Sequence, residues 1–153
     1  MNIDDFFAVL QKKLAENETI EDFCQDKFGR KQTVFLGTNE NDPPAQSDMP
    51  SIAISGLLER ARKGTSISFK IVFGIIVLSE NIDVQDNKKT YLGFSLCNRL
   101  EEIFEDALYE TQRALQSKIE IEEASHVPNM VFPVFLSRVI VKFEYPIPSF
   151  RKI

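Results

Sequence analysis

The first apolar residues of the chain recur with the spacing of a helix. They lie on one face of a repeat of about 3.6 residues, and they are Ile3, Phe6, Phe7, Leu10 and Leu14. Asn2 precedes them as a suitable N-cap. A second helix is predicted over Thr19–Phe28, because Thr19 and Asp22 have the spacing of a capping box and Gly29 follows as a C′ residue.

Alternating apolar and polar residues predict strands in the middle and at the end of the chain. The longest strand covers Thr65–Leu78, where one face is apolar throughout and the other becomes apolar toward the end. We therefore expect the second half of this strand to be covered on both faces. The other predicted strands are Gln32–Gly37, Ser51–Glu59 with a bulge at Gly56, a short strand around Ile119 and Ile121, and Pro133–Tyr145.

Polar segments without periodicity are predicted to be loops. They are 38–49, 79–90 and 125–129. Gly64 marks a further turn, after the basic residues Arg60, Arg62 and Lys63. The second loop leads into a long amphipathic helix over Tyr91–Leu115. The outer face of this helix is acidic and carries Glu101, Glu102, Glu105, Asp106 and Glu110.

The order of these elements indicates the fold class. Strands occur in blocks with one long helix among them, which is typical of an α+β protein. We expect a mostly antiparallel β-sheet, with the long helix packed on one face and a helix at the N-terminus. Residues 1–153 should form a single domain. Residues 146–153 should be an extended C-terminal tail, because Pro146 and Pro148 cannot donate hydrogen bonds to a strand ladder.

Composition narrows the class of molecule. The chain has 153 residues and a formal net charge of −5, and this negative charge disfavours a protein that grips nucleic acid phosphates. The first ten residues include two acids and no base, unlike a secretory signal. The longest apolar stretch, Ile71–Leu78, is far too short to span a membrane. We therefore expect a soluble protein of the cytoplasm.

The residues that usually carry catalysis are scarce. Cys24 and Cys97 form no CxxC pair, and both are expected to pack in the core. His126 is the single histidine and is expected to be an ordinary loop residue. The glycines match no phosphate-binding pattern. We therefore expect no catalytic residue, no metal site and no cofactor.

Three acids of the long helix follow each other at intervals of four residues. These are Glu102, Asp106 and Glu110, and the usual role of such residues is a solvated helix face. Like charges at this spacing cost about 0.2–0.5 kcal/mol per pair. A partner or a repulsive function would compensate for that cost, so the acids are also candidates for a functional surface.

The order of elements resembles the tail terminator, or tail completion, proteins of long-tailed bacteriophages and their prophage relatives. The matching segments are the helix Ile3–Leu14, the acidic turn and strand Asp48–Ile54, the strand Ser66–Leu78, the helix Tyr91–Leu115 and the strand Val139–Tyr145. The chain departs from the pattern in its extra helix over Thr19–Phe28 and in the proline-rich segment after Tyr145.

The resemblance implies a non-catalytic virion assembly protein. Such proteins form a hexameric ring that caps the tail tube and joins it to the head, so the expected partners are further copies of the chain, the tail tube protein and a head–tail joining protein. In solution the chain is expected either as this ring or as a monomer whose closure into a ring needs the tube end as a template. No sequence-specific nucleic acid and no membrane is expected as a partner. The protein would act in the host cytoplasm during assembly and then in the virion tail.

A negative lumen would repel DNA phosphates and let the DNA slide through such a ring. Glu80, Asp83 and Asp86 are the first candidates to face the lumen or a partner, and Glu102, Asp106 and Glu110 are the second.

Two other classes of function stay open. One is a small acidic intracellular binding or inhibitor module, of the immunity type, that acts on a basic partner as a stable monomer. The other is a small enzyme with paired carboxylates in a dry cleft, where their pKa values would be pushed apart.

Overall fold

The computed structural model describes residues 2–38, 44–127 and 132–146. Its helices are α1 (Ile3–Ala15), α2 (Glu18–Phe28), α3 (Leu92–Glu110) and α4 (Gln112–Leu115). Its strands are β1 (Thr33–Leu36), β2 (Ser51–Lys63), β3 (Ser66–Leu78), β4 (Ile82–Gln85), β5 (Lys88–Tyr91), β6 (Lys118–His126) and β7 (Val134–Pro146).

The first two helices begin at asparagine caps. The side chain of Asn2 accepts a hydrogen bond from the Asp5 amide at 2.8 Å, and the Asp5 carboxylate accepts one from the Asn2 amide, which confirms the predicted start of α1. For α2, the predicted cap Thr19 was wrong by two residues. The cap is Asn17, whose side chain accepts a hydrogen bond from the Ile20 amide at 2.9 Å, and the helix begins at Glu18. Asparagine is a stronger N-cap than threonine. Gly29 ends this helix with φ of 73°, as predicted.

The main sheet has five strands in the order β1-β2-β3-β7-β6. Every neighbouring pair is antiparallel except β1 and β2, which are parallel. The molecule is therefore an α+β protein with a mostly antiparallel sheet, as the sequence predicts.

Strand β2 is longer than predicted. It continues to Lys63, so the basic residues expected before a turn lie within the strand, where Lys63 pairs with Ser66 of β3. The register shifts between Ile54 and Gly56, where a bulge was predicted, and again between Leu57 and Glu59. From residue 55 onward the residues of β2 are exposed, apart from the half-buried Ala61. Apolar and polar residues therefore do not alternate there, and the sequence pattern could not show where the strand ends.

The predicted loop over 79–90 is wrong. Strands β4 and β5 pair within it as an antiparallel hairpin, and Gln85 pairs with Lys88 across a two-residue turn. Asp86 occupies the left-handed region with φ of 54°, which aspartate tolerates better than most residues. The strands are only four residues long and solvent-exposed, so no apolar alternation announces them.

The long helix is interrupted near its end. Helices α3 and α4 replace the continuous helix predicted to Leu115, and Thr111 lies at the break, where its hydroxyl donates to the Leu108 carbonyl at 2.6 Å. Strand β6 runs to His126, so Ser125 and His126 belong to a strand and not to the predicted loop, of which 128–129 lie outside the described residues.

Two other predicted irregular segments are described only in part. Of the loop 38–49, residues 39–43 lie outside the described residues, and Gln46–Asp48 form a single 3₁₀ turn. Of the tail predicted over 146–153, Pro146 is the last residue of β7 and pairs with Ser66, whereas 147–153 lie outside the described residues.

The core lies between the helices and one face of the main sheet. Its centre contains Phe6 and Leu10 of α1, Phe73 of β3, Phe104 of α3 and Phe143 of β7, all buried. The long helix therefore packs on one face of the sheet, as predicted. On the other face of β3, Val72, Ile76 and Leu78 are only half-buried, so the cover expected on both faces is incomplete.

Candidate functional site

The first candidate acids lie at an arm formed by β4 and β5. Every residue of both strands is exposed, including Asp83, and Asp86 is exposed at the turn, while Glu80 is exposed just before β4. The base of the arm is fixed by a hydrogen bond of 3.0 Å from the Leu92 amide to the Asn81 carbonyl.

The arm is not purely acidic. Lys88 and Lys89 lie on β5, and the register places Lys89 opposite Val84 and Lys88 opposite Gln85. Two lysines thus offset the two aspartates of the same hairpin. The arm therefore contributes little net negative charge, and its three candidate acids form no extended acidic surface.

One face of the arm is mostly apolar and also carries Lys89. The register places Ile82 opposite Tyr91 on the face that also holds Val84, and the Lys89 ammonium lies 5.5 Å from the centroid of the Tyr91 ring. Val84 is 64% exposed, which is unusual for an aliphatic residue in a strand. A two-stranded sheet gains little stability by itself. Apolar residues that are exposed together on such a hairpin are typical of a surface that contacts another molecule.

An aromatic groove begins at the base of the arm. It has a volume of about 310 Å³ and is lined by Tyr91, Phe94, His126, Phe132, Phe135 and Leu136, among others. The ring centroids of Tyr91 and Phe132 are 5.4 Å apart, and those of Phe94 and His126 are 4.8 Å apart. Gly93 makes room for this arrangement, because a Cβ atom there would fall 2.3 Å from the Phe135 ring. The apolar face of the arm therefore continues onto the body of the protein.

The second candidate acids form an exposed row on α3. Glu102, Asp106 and Glu110 are all exposed, and Glu102 pairs with Arg99 at 3.2 Å. Glu110 lies in the last turn of the helix, where a negative charge opposes the helix dipole. The Asn17 side-chain amide approaches the Glu110 carboxylate at 3.5 Å, which is a weak contact.

The density of carboxylates on α3 affects proton binding. Partial burial raises the pKa of Glu105, and the neighbouring charges of Glu101, Asp106 and Glu102 raise it further. The helix face is therefore under mutual repulsion at neutral pH. Glu102, Asp106 and Glu110 are exposed, so this row differs from the paired carboxylates in a dry cleft that one of the alternatives expects.

A polar cluster that the sequence did not predict joins α3 to β6 and β7. His126 Nε2 contacts Asn98 Oδ1, and the Ser137 hydroxyl donates to Glu101. Cys97 lies beside them and contacts the Ile75 carbonyl at 3.7 Å. No local sequence signal marks the cluster, because it depends on the register of β6, which places His126 directly opposite Ser137.

Both cysteines are buried, and Cys97 lies next to this cluster. Ser137 and Cys97 are fully buried, and burial, with the Glu101 charge as a smaller cause, raises the pKa of the Cys97 thiol to about 12. Burial likewise raises the pKa of Cys24 to about 12. Neither thiol is a nucleophile at neutral pH, and the burial of both confirms the predicted packing role.

A metal site is also lacking in the part of the chain that the structure describes. No three side chains among the His, Cys, Asp and Glu residues of 2–38, 44–127 and 132–146 come together in a way that could hold an ion. Across these same ranges, every helix is too short or too polar to cross a bilayer.

Comparison with known proteins adds no family. No protein-family model matches the chain, and no curated protein matches it. The candidate surfaces are therefore defined by their own geometry: an exposed arm with an apolar face, an aromatic groove at its base and an acidic row on α3.

Proposed function

We propose that the chain is a tail terminator of a phage or prophage: a non-catalytic assembly protein that forms a ring, caps the tail tube and joins it to the head. The observation that carries the proposal is the arm, whose strands are exposed along their whole length while carrying Ile82, Val84 and Tyr91 on one face. A surface of this kind suits contact with another protein better than it suits chemistry on a small substrate.

The element order supports the proposal as well. The helix α1, the long strand β3, the long helix α3 and the last strand β7 follow each other as the resemblance implies. Under the proposal, the partners are further copies of the chain in a hexameric ring, the tail tube protein and a head–tail joining protein. The protein works in the host cytoplasm and ends in the virion tail.

The acidic row on α3 is the better candidate for a DNA-repelling lumen. Glu102, Asp106 and Glu110 are accompanied by Glu101 and Glu105 on the same helix, with Arg99 as the neighbouring base. The arm acids Glu80, Asp83 and Asp86 share their hairpin with two lysines. A continuous negative surface repels phosphates more effectively than a mixed one.

Deleting the gene in the strain that encodes the chain tests the proposal. We expect particles whose tails are irregular in length and are not joined to heads, as seen by electron microscopy, with restoration by the wild-type gene. Val84→Asp should fail to restore them, because a charge interrupts the apolar face of the arm. The control is Asn87→Ser at the turn of the same arm, which adds no charge at an exposed position and should restore them. Normal joined tails after the deletion, or a strain that makes no particles, would contradict the proposal.

The alternative is an acidic binding or inhibitor module for a basic partner. The observation that favours it is the same row on α3, with Glu110 placed against the helix dipole. This alternative predicts a one-to-one complex with a basic protein, which Glu102→Gln, Asp106→Asn and Glu110→Gln together should weaken, and it predicts no effect of the deletion on tails.

A further inference from the structure

The two ends of the main sheet have free strand edges. β1 pairs only with Ser51–Ile54, so the remainder of β2, residues 56–63, has β3 as its single strand neighbour among the described residues. At the other end of the sheet, β6 has only β7 beside it within the same part of the chain. A strand with one neighbour presents backbone donors and acceptors that are ready to pair with another strand.

The two edges carry opposite charge in matched numbers. The edge of β2 has three basic residues and one acid, Arg60, Arg62, Lys63 and Glu59. The edge of β6 has three acids and one base, Glu120, Glu122, Glu123 and Lys118. All of these residues are exposed.

Five of these residues form no ion pair with another described residue: Arg60, Arg62, Lys63, Glu120 and Glu123. Glu59 and Glu122 lie 3.7 and 3.2 Å from Lys70, and the register places Glu120 opposite Lys142. The unpaired charges therefore remain available to a neighbouring molecule.

Charge decides which edges can meet. Two β2 edges would bring basic residues together, and two β6 edges would bring acids together, and like charges across a strand pair are destabilising. Only β2 against β6 is attractive. We propose that the β2 edge of one copy pairs with the β6 edge of the next, giving head-to-tail association of identical chains.

Exposed apolar residues support the same pairing. Leu57 and Leu58 are 42% and 55% exposed beside the basic residues, and a neighbouring strand would reduce their exposure. Bulges oppose strand pairing, but the register shifts of β2 lie before Glu59, so the stretch that carries Arg60, Arg62 and Lys63 is regular.

Head-to-tail contact leaves a free edge at each end of the assembly, so it continues until it closes into a ring or extends as a filament. The inference deepens the proposed function by naming the contact between subunits, and it rests on that function only for closure into a ring.

Charge reversal with complementation tests the pairing. The first variant carries Arg60→Glu and Arg62→Glu, and the second carries Glu120→Lys and Glu123→Lys, which leaves the pair of Glu122 with Lys70 intact. Sedimentation velocity over a range of concentrations should show association of the wild-type chain. Each variant alone should need about tenfold more protein or higher to associate, because its two edges have the same sign.

Mixing the two variants should restore association. The acidic β2 edge of the first then meets the basic β6 edge of the second, and their remaining edges also attract. The matched control, Lys12→Glu with Lys13→Glu, makes the same charge change on exposed residues of α1 away from both edges and should associate like the wild-type chain. Thermal unfolding of each variant verifies that it is folded.

The outcomes separate the inference from the proposed function. Restoration by mixing supports the pairing. Variants that associate like the wild-type chain, variants that mixing does not rescue, or a wild-type chain that is monomeric throughout would each overturn it. The deletion experiment judges the tail function independently, since it does not depend on which surface joins the subunits.

Discussion

Glu105 shows at the scale of one residue how the acidic face of α3 affects the protein. Its carboxyl is half-buried among Glu101, Asp106 and Glu102, and burial and these charges raise its pKa in the folded state. The folded chain therefore holds the Glu105 proton more tightly than the unfolded chain. Ionising the group at neutral pH costs stability, and that cost disappears as the pH falls through the raised pKa.

Glu105→Gln should consequently stabilise the protein at pH 7. We expect an increase of a few tenths of a kcal/mol in the free energy of unfolding, about the size of a like-charge pair on a helix. The increase should vanish near roughly pH 3, where the carboxyl is protonated in both states. Urea unfolding at both pH values measures it. Glu16→Gln is the control and should give no such gain, because Glu16 is exposed at the end of α1 and lies outside the acidic face of α3. Equal gains would contradict the explanation.

Single residues also show which features can be predicted from their neighbours in the sequence. Asn2 and Gly29 were identified correctly, because a cap depends on residues within one helical turn. Gly93 has no local signal, since the reason for a glycine there is the Phe135 ring, which is distant in sequence. The polar contacts of His126 and Ser137 are equally non-local.

At the scale of elements, the start of α2 can be tested directly. Asn17 accepts from the Ile20 amide, whereas Thr19 is exposed within the helix. Asn17→Ala should lower the free energy of unfolding by about 1 kcal/mol, because an end amide loses its acceptor. Thr19→Ala should change it by less than about 0.5 kcal/mol. Thermal or urea unfolding compares the two variants. A larger loss of unfolding free energy for Thr19→Ala would show that Thr19 is the cap, as the sequence suggested.

The strands divide into those that their pattern predicts and those that it misses. β3 and β7 alternate because one face of each is buried, and both were predicted nearly to their ends. β4 and β5 are exposed throughout, so hydrophobicity has no reason to alternate. The exposed half of β2 was missed for the same reason.

At the scale of the whole molecule, stability depends on the shared core. Phe73 is fully buried, with ring centroids 5.0 Å from Phe104 and 6.3 Å from Phe143, so it links β3 to α3 and β7. Phe73→Ala should lower the free energy of unfolding by about 3–5 kcal/mol. Phe94 is 55% exposed, and Phe94→Ala is the control, with an expected loss below about 1 kcal/mol. Similar losses in urea unfolding would contradict this assignment of the core.

The surfaces that support the proposals are also properties of the whole molecule. The aromatic groove and the opposite charges of the two sheet edges involve residues that are far apart in sequence, whereas the arm is a local hairpin. The sequence predicted an acidic outer face on α3. The structure exposes Glu102, Asp106 and Glu110, whereas Glu101 and Glu105 are half-buried and Glu101 accepts a hydrogen bond from Ser137 of the sheet.

The sequence by itself determined the elements that bury one face: α1, most of α3, β3 and β7, together with their α+β class. Burial of one face imposes a period on the residues of the same segment, so it can be recognised locally. Only the tertiary structure decided the strand order, the parallel pairing of β1, the arm and the free edges of β2 and β6. The strand order, the pairing of β1 and the free edges depend on which distant segments meet. The strands of the arm are exposed on both faces, so their residues show no hydrophobic alternation from which the strands could be predicted.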